Sequence, residues 1–282
     1  MDDAPAATGF TGDPAPDPDP WHSLRRHTAA RIALGHAGIS QPTRAQLGFQ
    51  LAHAMARDAV HTALDSAELA ANLGAAWPEL PAALLLRSAA GERTTYLQRP
   101  DLGRRLDDAA RAVLIALRDG DAPAAACDLA IVVADGLSAL AVARHAAPLL
   151  QALRGHCLQH GWIVGAPCIV EQGRVAVGDE VGELLRATMV VVLIGERPGL
   201  SAPDSMGAYL TWAPRVGLTD ESRNCISNIR PAGQQPGDAA ARLHRLLTEA
   251  FRRRLTGIEL KDDSDDAHGA ALAQNGGRVF RL

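Results

Sequence analysis

Residues 129–142 read LAIVVADGLSALAV. A continuous apolar run with three β-branched residues, Ile131, Val132 and Val133, ends at Asp135-Gly136, and Ser138 then stands where a helix cap is wanted. The pattern predicts a strand over Leu129 to Ala134, a turn, and a helix. A strand that is apolar at every position has no side to turn to water, so it belongs in the middle of a sheet covered on both faces.

Outward from this unit the same grammar repeats. Pro148 is read as breaking the helix and starting another that ends at His160-Gly161. WIVGAPCIV (162–170) reads as a strand, GRVAV (173–177) as a short one, and DEVGELLRAT (179–188) as a helix with Asp179 near its N-cap. VVVLIGERPGL (190–200) contains a strand over Met189 to Ile194, NCISNI (224–229) is another, and DAAARLHRLLTEAFRRRL (238–255) is an amphipathic helix with Leu243, Leu246, Leu247 and Ala250 on one face. Upstream, a helical pattern starts at Ser23. A second helix begins at Thr43, where Gln46 completes a capping box, and carries an apolar face of Leu47, Leu51, Ala54 and Met55. Short helices and a strand at Leu84 to Arg87 follow, and TTYLQRPDLGRRL (94–106) is read as extended. The fold class is therefore α/β: an N-terminal helical region followed by a Rossmann-like, mostly parallel sheet with helices on both faces. The expected divisions are a Pro/Asp-rich disordered tail over 1–20, a mainly helical region over 21–125, the sheet domain over 126–261 and a flexible acidic tail over 262–282.

In such sheets ligands sit beyond the C-terminal ends of the strands. Glu196 and Arg197 stand at one such end and Asp135-Gly136 at another, which makes that rim the candidate site.

Bulk properties exclude several classes. The chain has 282 residues, is 47% hydrophobic, and balances 28 Lys+Arg against 32 Asp+Glu for a net charge of −4, so no large nucleic-acid footprint is expected. Arg252, Arg253 and Arg254 make one short cluster that a helix C-terminus favours. Cys127, Cys157, Cys168 and Cys225 lack metal-finger or disulfide-framework spacing, no export leader is evident, and no apolar run approaches membrane-spanning length. There is no Gly-x-Gly-x-x-Gly fingerprint after a strand, no Gly-Lys-Ser/Thr phosphate loop and no nucleophile elbow. His156 and His160 share helical spacing and are read as surface residues near a helix end, with a shared metal as the weaker reading.

Five segments in order, YLQRPDLGRRL (96–106), DGLSALAV (135–142), GRVAVGDEVGELL (173–185), VVVLIGERPGL (190–200) and RNCISNI (223–229), resemble the small subunit (light chain) of ethanolamine ammonia-lyase. The likeness runs from about Ser23 to Glu259. It implies a carbon–nitrogen lyase that converts ethanolamine to acetaldehyde and ammonia with adenosylcobalamin. It also implies a large-subunit partner that holds the substrate, in a hetero-oligomer built from small/large heterodimers. No catalytic residue or metal ligand is assigned to this chain; the positions matching the family's cofactor contacts are Val175, Glu196 and Cys225. Arg174 and Arg197 are second-rank candidates for the cofactor phosphate or for fixing Glu196. An Asp-x-His-x-x-Gly motif is absent, which implies that the cofactor keeps its own benzimidazole on cobalt. The expected location is the cytoplasm or a bacterial microcompartment, although Met1–Pro20 is too proline-rich for the amphipathic segment that encapsulated members tend to carry. Two other readings stand beside this one: a stand-alone cobalamin- or nucleotide-binding module without catalysis, and a self-contained enzyme using Asp135 and Glu196 as acid and base.

Overall fold

The computed structural model of the chain describes residues 20–120 and 126–261. The expectations for 1–19 and 262–282, including the bearing of the N-terminus on encapsulation, lie outside the described residues. Contacts divide the chain into two units after Met55.

The first unit holds a 3-10 helix at Pro20–His27 and most of α1 (Thr43–His61). Thr43 is the first residue of α1 rather than a cap outside it: the N–H groups of Ala45 and Gln46 reach the carbonyl of Pro42 at 3.0 and 3.1 Å.

The second unit contains, in chain order, α2 (Ser66–Ala76), β1 (Leu84–Arg87), α3 (Arg93–Gln98), α4 (Asp108–Asp119), β2 (Leu129–Ala134), α5 (Ala139–His160), β3 (Cys168–Glu171), α6 (Val177–Leu184), β4 (Met189–Gly195), β5 (Met206–Trp212), β6 (Arg223–Ile229) and α7 (Pro236–Arg253). One sheet runs in the order β1-β3-β2-β4-β5-β6. Its first four strands are parallel, β5 runs antiparallel to β4, and β6 runs antiparallel to β5. As the apolar pattern required, β2 and β4 are buried at every position and lie in register from Leu129↔Met189 to Ala134↔Ile194. Alternate side chains enter two cores. Leu129, Ile131 and Val133 meet α2, α5 and α7 on one face, and Ala130, Val132 and Ala134 meet α4 and α6 on the other. The apolar face expected of α7 is fully committed to the first core.

Several local expectations are corrected. Pro148 does not end a helix: α5 continues through it. Pro148 and Arg144, whose carbonyl loses its partner, both lie on the solvent side, where water replaces the missing bond. GRVAV is a turn leading into α6, not a strand; its alternating valines serve the turn and the first helical residue. Of WIVGAPCIV only the last three residues lie in a strand, β3 (Cys168–Glu171), with Val164 making a single bridge to Leu129. The segment read as extended forms α3 and a 3-10 turn at Leu102–Arg104. Asp179 lies near the N-cap of α6 as expected, in its first turn three residues past the cap Ala176, but its carboxylate grips Arg223 rather than capping the helix. β5 is a strand the periodicity did not reveal.

Candidate functional site at the strand ends

The chain leaves β2 for α5 on one face and β3 for α6 on the other, so the loops part above the centre of the sheet. That is the topological switch at which open α/β sheets form a crevice. A cavity of about 360 Å³ lies there, lined by Tyr96, Leu137, Arg174, Val175, Ile194, Gly195, Glu196, Arg197 and Tyr209. Val175 and Glu196 both line this hollow. Cys225 does not line it but stands next to it: it pairs in register with Tyr209, whose hydroxyl interacts with the Cys225 sulfur. Both second-rank arginines, Arg174 and Arg197, face the cavity.

Glu196 is the first residue past β4, and its carboxylate is aimed by neighbours. Ser205 Oγ donates to Oε2 at 2.5 Å, and the backbone N–H of Asn228, on β6, donates to both oxygens at 3.2 and 3.3 Å. A carboxylate offers about four acceptor positions, so a donor arriving from the cavity still finds lone pairs. Cys225 is exposed as a residue, but partial desolvation of its sulfur, first, and the nearby negative charge of Glu196 push its thiol up, the Tyr209 hydroxyl only partly opposing them, so Cys225 stands as a neutral thiol. Burial likewise raises the Tyr209 hydroxyl above its ordinary range.

The opposite wall is built around Tyr96, a fully buried ring whose hydroxyl donates to the carbonyl of Gly173 at 3.3 Å. Arg174 lies over that ring at 4.2 Å and Arg93 at 4.7 Å. Arg174 is fixed further by its backbone N–H on Gly103 O at 2.7 Å and by its Nη2 on Tyr96 O at 3.1 Å, while its buried Nε has no hydrogen-bond partner among the described residues. Burial pushes Tyr96 up to about 12, so the ring stays neutral. Tyr96, Tyr209 and Ser205 carry no motif of their own. Tyr96 falls within the segment read as extended and quoted for its resemblance, where nothing singles it out as a site residue.

Asp135 does a different job from Glu196. It is 2% exposed, accepts from the N–H of Gly173 at 3.2 Å and lies 3.6 Å from Arg93. Among the described residues, none hydrogen-bonds to both its carboxylate and that of Glu196. Burial outweighs those favourable contacts and pushes its carboxyl up to about 6 from 3.8. The folded protein thus keeps this proton up to about pH 6, whereas the unfolded chain releases it near pH 4. Stability from this group therefore falls as pH rises from about 4 to about 6 and is level above. About 2 pH units correspond to about 3 kcal/mol. Asp135→Asn, compared with the parent by urea unfolding at pH 4.5 and 7, is expected to remove that part of the decline.

Away from the rim, His156 and His160 do not face one another's metal. Each meets His244 of α7 instead: His156 stacks on it at 4.2 Å, and His160 Nε2 lies 2.9 Å from its Nε2. Among the described residues, no group of three or more His, Cys, Asp or Glu is arranged to hold a metal ion, and no helix is long and apolar enough to cross a membrane.

Comparison with known proteins follows the same line. The family described as ethanolamine ammonia-lyase light chain (EutC) matches residues 18–261. The chain is 58% identical over 250 residues to the ethanolamine ammonia-lyase small subunit of Pseudomonas paraeruginosa (strain DSM 24068 / PA7), covering 88% of this chain and 89% of that one. It is 59% identical over 252 residues to the small subunit of Azotobacter vinelandii, covering 88% and 90%. With the small subunit of Ralstonia nicotianae the identity is 55% over 267 residues, 94% of each chain.

Proposed function

This chain belongs to the ethanolamine ammonia-lyase light-chain family, subunits of a carbon–nitrogen lyase, and from that premise we propose that its sheet rim forms one wall of an adenosylcobalamin site completed by the large subunit. The observation that carries this reading is the convergence of Val175 and Glu196 on one open hollow, with Cys225 reaching its edge through Tyr209. In this reading residues 126–261 act as the cobalamin-binding domain, and the mainly helical residues 21–125 contribute Tyr96 to its rim.

The residues present suit the group. A corrin is a flat apolar ring fringed by amides, with one phosphate in its nucleotide tail. Leu137, Val175, Ile194 and Tyr209 offer apolar wall, Glu196 offers an acceptor for amide N–H, and Arg174 offers an unpaired buried N–H for an anion. A hollow of about 360 Å³ is far smaller than a corrinoid, which fits one side of a cleft and not an enclosed pocket. When bound, the cofactor supplies the radical chemistry of the deamination. Glu196 holds an amide edge, Val175 presents backbone groups and an apolar surface, Cys225 makes a small neutral contact, and Tyr96 with Arg174 stiffens the far wall. Ethanolamine is held by the large subunit. The unit works where that partner does, in the cytoplasm or in a microcompartment.

The test is co-expression with the large subunit and a cofactor-dependent acetaldehyde assay: activity is expected from the pair and from neither chain alone. In that assay Glu196→Ala is expected to raise the adenosylcobalamin concentration for half-maximal rate tenfold or more. This corresponds to the loss of one hydrogen bond to a charged group, about 1.5–3 kcal/mol. The KM for ethanolamine should hardly move; an effect on ethanolamine alone would contradict the assignment.

A further inference from the structure

The first unit leaves its apolar residues outside. Among the described residues, none from 21 to 55 is buried, yet nearly half of the chain's exposed large apolar side chains fall in this short segment. Three of them, Leu47, Leu51 and Met55, are 58%, 64% and 53% exposed and recur every four residues along α1. Residues four apart lie above one another on a helix, so the three form one stripe. Helices of this length are marginal in water unless an apolar face is packed, and contiguous exposed apolar patches mark sites of association.

We propose that the Leu47–Leu51–Met55 stripe is a docking surface for the large subunit. The proposal rests on the reading of this chain as one half of a two-subunit lyase. The segment that carries the stripe lies inside the 18–261 match to the family, so that segment is part of what the family has in common and is not a private appendage. Area argues the same way. A specific interface takes about 800 Å² from each partner, and one side of this helix, about 28 Å long and 10 Å across, supplies on the order of a third of it. That is too little to hold two copies of this chain together alone. It is a fitting share of a larger contact with a different partner.

The test uses the full chain co-purified with the large subunit as active enzyme. With the photo-crosslinking residue benzoylphenylalanine in place of Leu51, irradiation is expected to join this chain to the large subunit. A crosslink between two copies of this chain, or none in an active complex, would overturn the proposal. Separately, Leu47→Ser combined with Leu51→Ser is expected to raise at least tenfold the amount of this chain needed to saturate a fixed amount of large subunit, with the cofactor requirement at saturation unchanged. An unchanged saturation curve would also overturn it. If the unaltered chains yield no complex and no lyase activity, the two-subunit reading itself fails; an active complex that crosslinks elsewhere removes only the docking surface.

Discussion

Gly195→Ala is expected to destabilise the chain by about 3 kcal/mol or more and to abolish measurable cofactor-dependent activity at ordinary adenosylcobalamin concentrations. A Cβ at Gly195 would stand 2.0 Å from the carbonyl oxygen of Ser138 and 2.5 Å from that of Asp135. Both are backbone atoms of the turn that closes over the end of β4, and the N–H of Leu137 donates to the carbonyl of Gly195 at 2.9 Å. No side chain can rotate away to make room. Overpacking a core commonly costs about 1–3 kcal/mol when side chains yield; here the backbone must yield, so the upper end is the starting point. The facing residue, Gly136, has φ +58°, and a Cβ there would meet the Gly195 carbonyl oxygen at 2.3 Å. The two glycines are a matched pair that lets adjacent strand ends touch, and Glu196 follows directly. Urea unfolding and a cofactor titration on the same preparation check both halves of the expectation.

Asp179→Ala is expected to be similarly severe, about 3–5 kcal/mol, because it leaves a buried cation with only the exposed Asp220, at 3.2 Å, as its counter-charge. The Arg223 guanidinium is 1% exposed and grips Asp179 through two hydrogen bonds of 2.6 and 2.7 Å. Burial alone would lower the pKa of Arg223, but the hydrogen bonds and charge of Asp179, with Asp220, outweigh it and hold it raised. This pair ties α6 to β6, and thereby joins two segments of the proposed wall: Val175 precedes α6 by two residues, and Cys225 follows Arg223 by two. Removing both charges together, Asp179→Leu with Arg223→Met, is expected to recover much of the loss, since neither charge is then left buried alone. A double variant as unstable as the single one would mean that the pair's geometry, and not its burial, sets the cost.

How far the fold was legible depended on how local its causes are. β2, β4 and the apolar face of α7 declare themselves because burial on both sides, or on one helical stripe, leaves no polar residue in the pattern. β5 was missed because MGAYLTW mixes small, aromatic and hydroxyl residues, and its place is fixed by pairing with β4 and β6. Pro148 was misread because whether a proline interrupts a helix depends on which side of the helix it occupies, and that is a tertiary fact. The valines of GRVAV alternate like a strand, but the turn they occupy is held by the bond from Arg174 to Gly103, far away in the chain.

The site divides in the same way. Glu196 was visible because an acid directly after a buried strand stands at the strand end, where ligands sit in such sheets. Tyr96, Ser205 and Tyr209 were invisible because their roles arise only when distant segments meet. Asp135 stood at a strand end like Glu196, yet the fold turned it inward to the Gly173 N–H and Arg93.

The central claim is most directly tested by the density of a corrinoid in the two-subunit complex, obtained by electron cryomicroscopy with adenosylcobalamin bound. The account predicts a ring edge in van der Waals contact, within about 4 Å, with Val175, Glu196 and Cys225. A corrinoid enclosed by the large subunit, with these three residues turned to solvent, would contradict it.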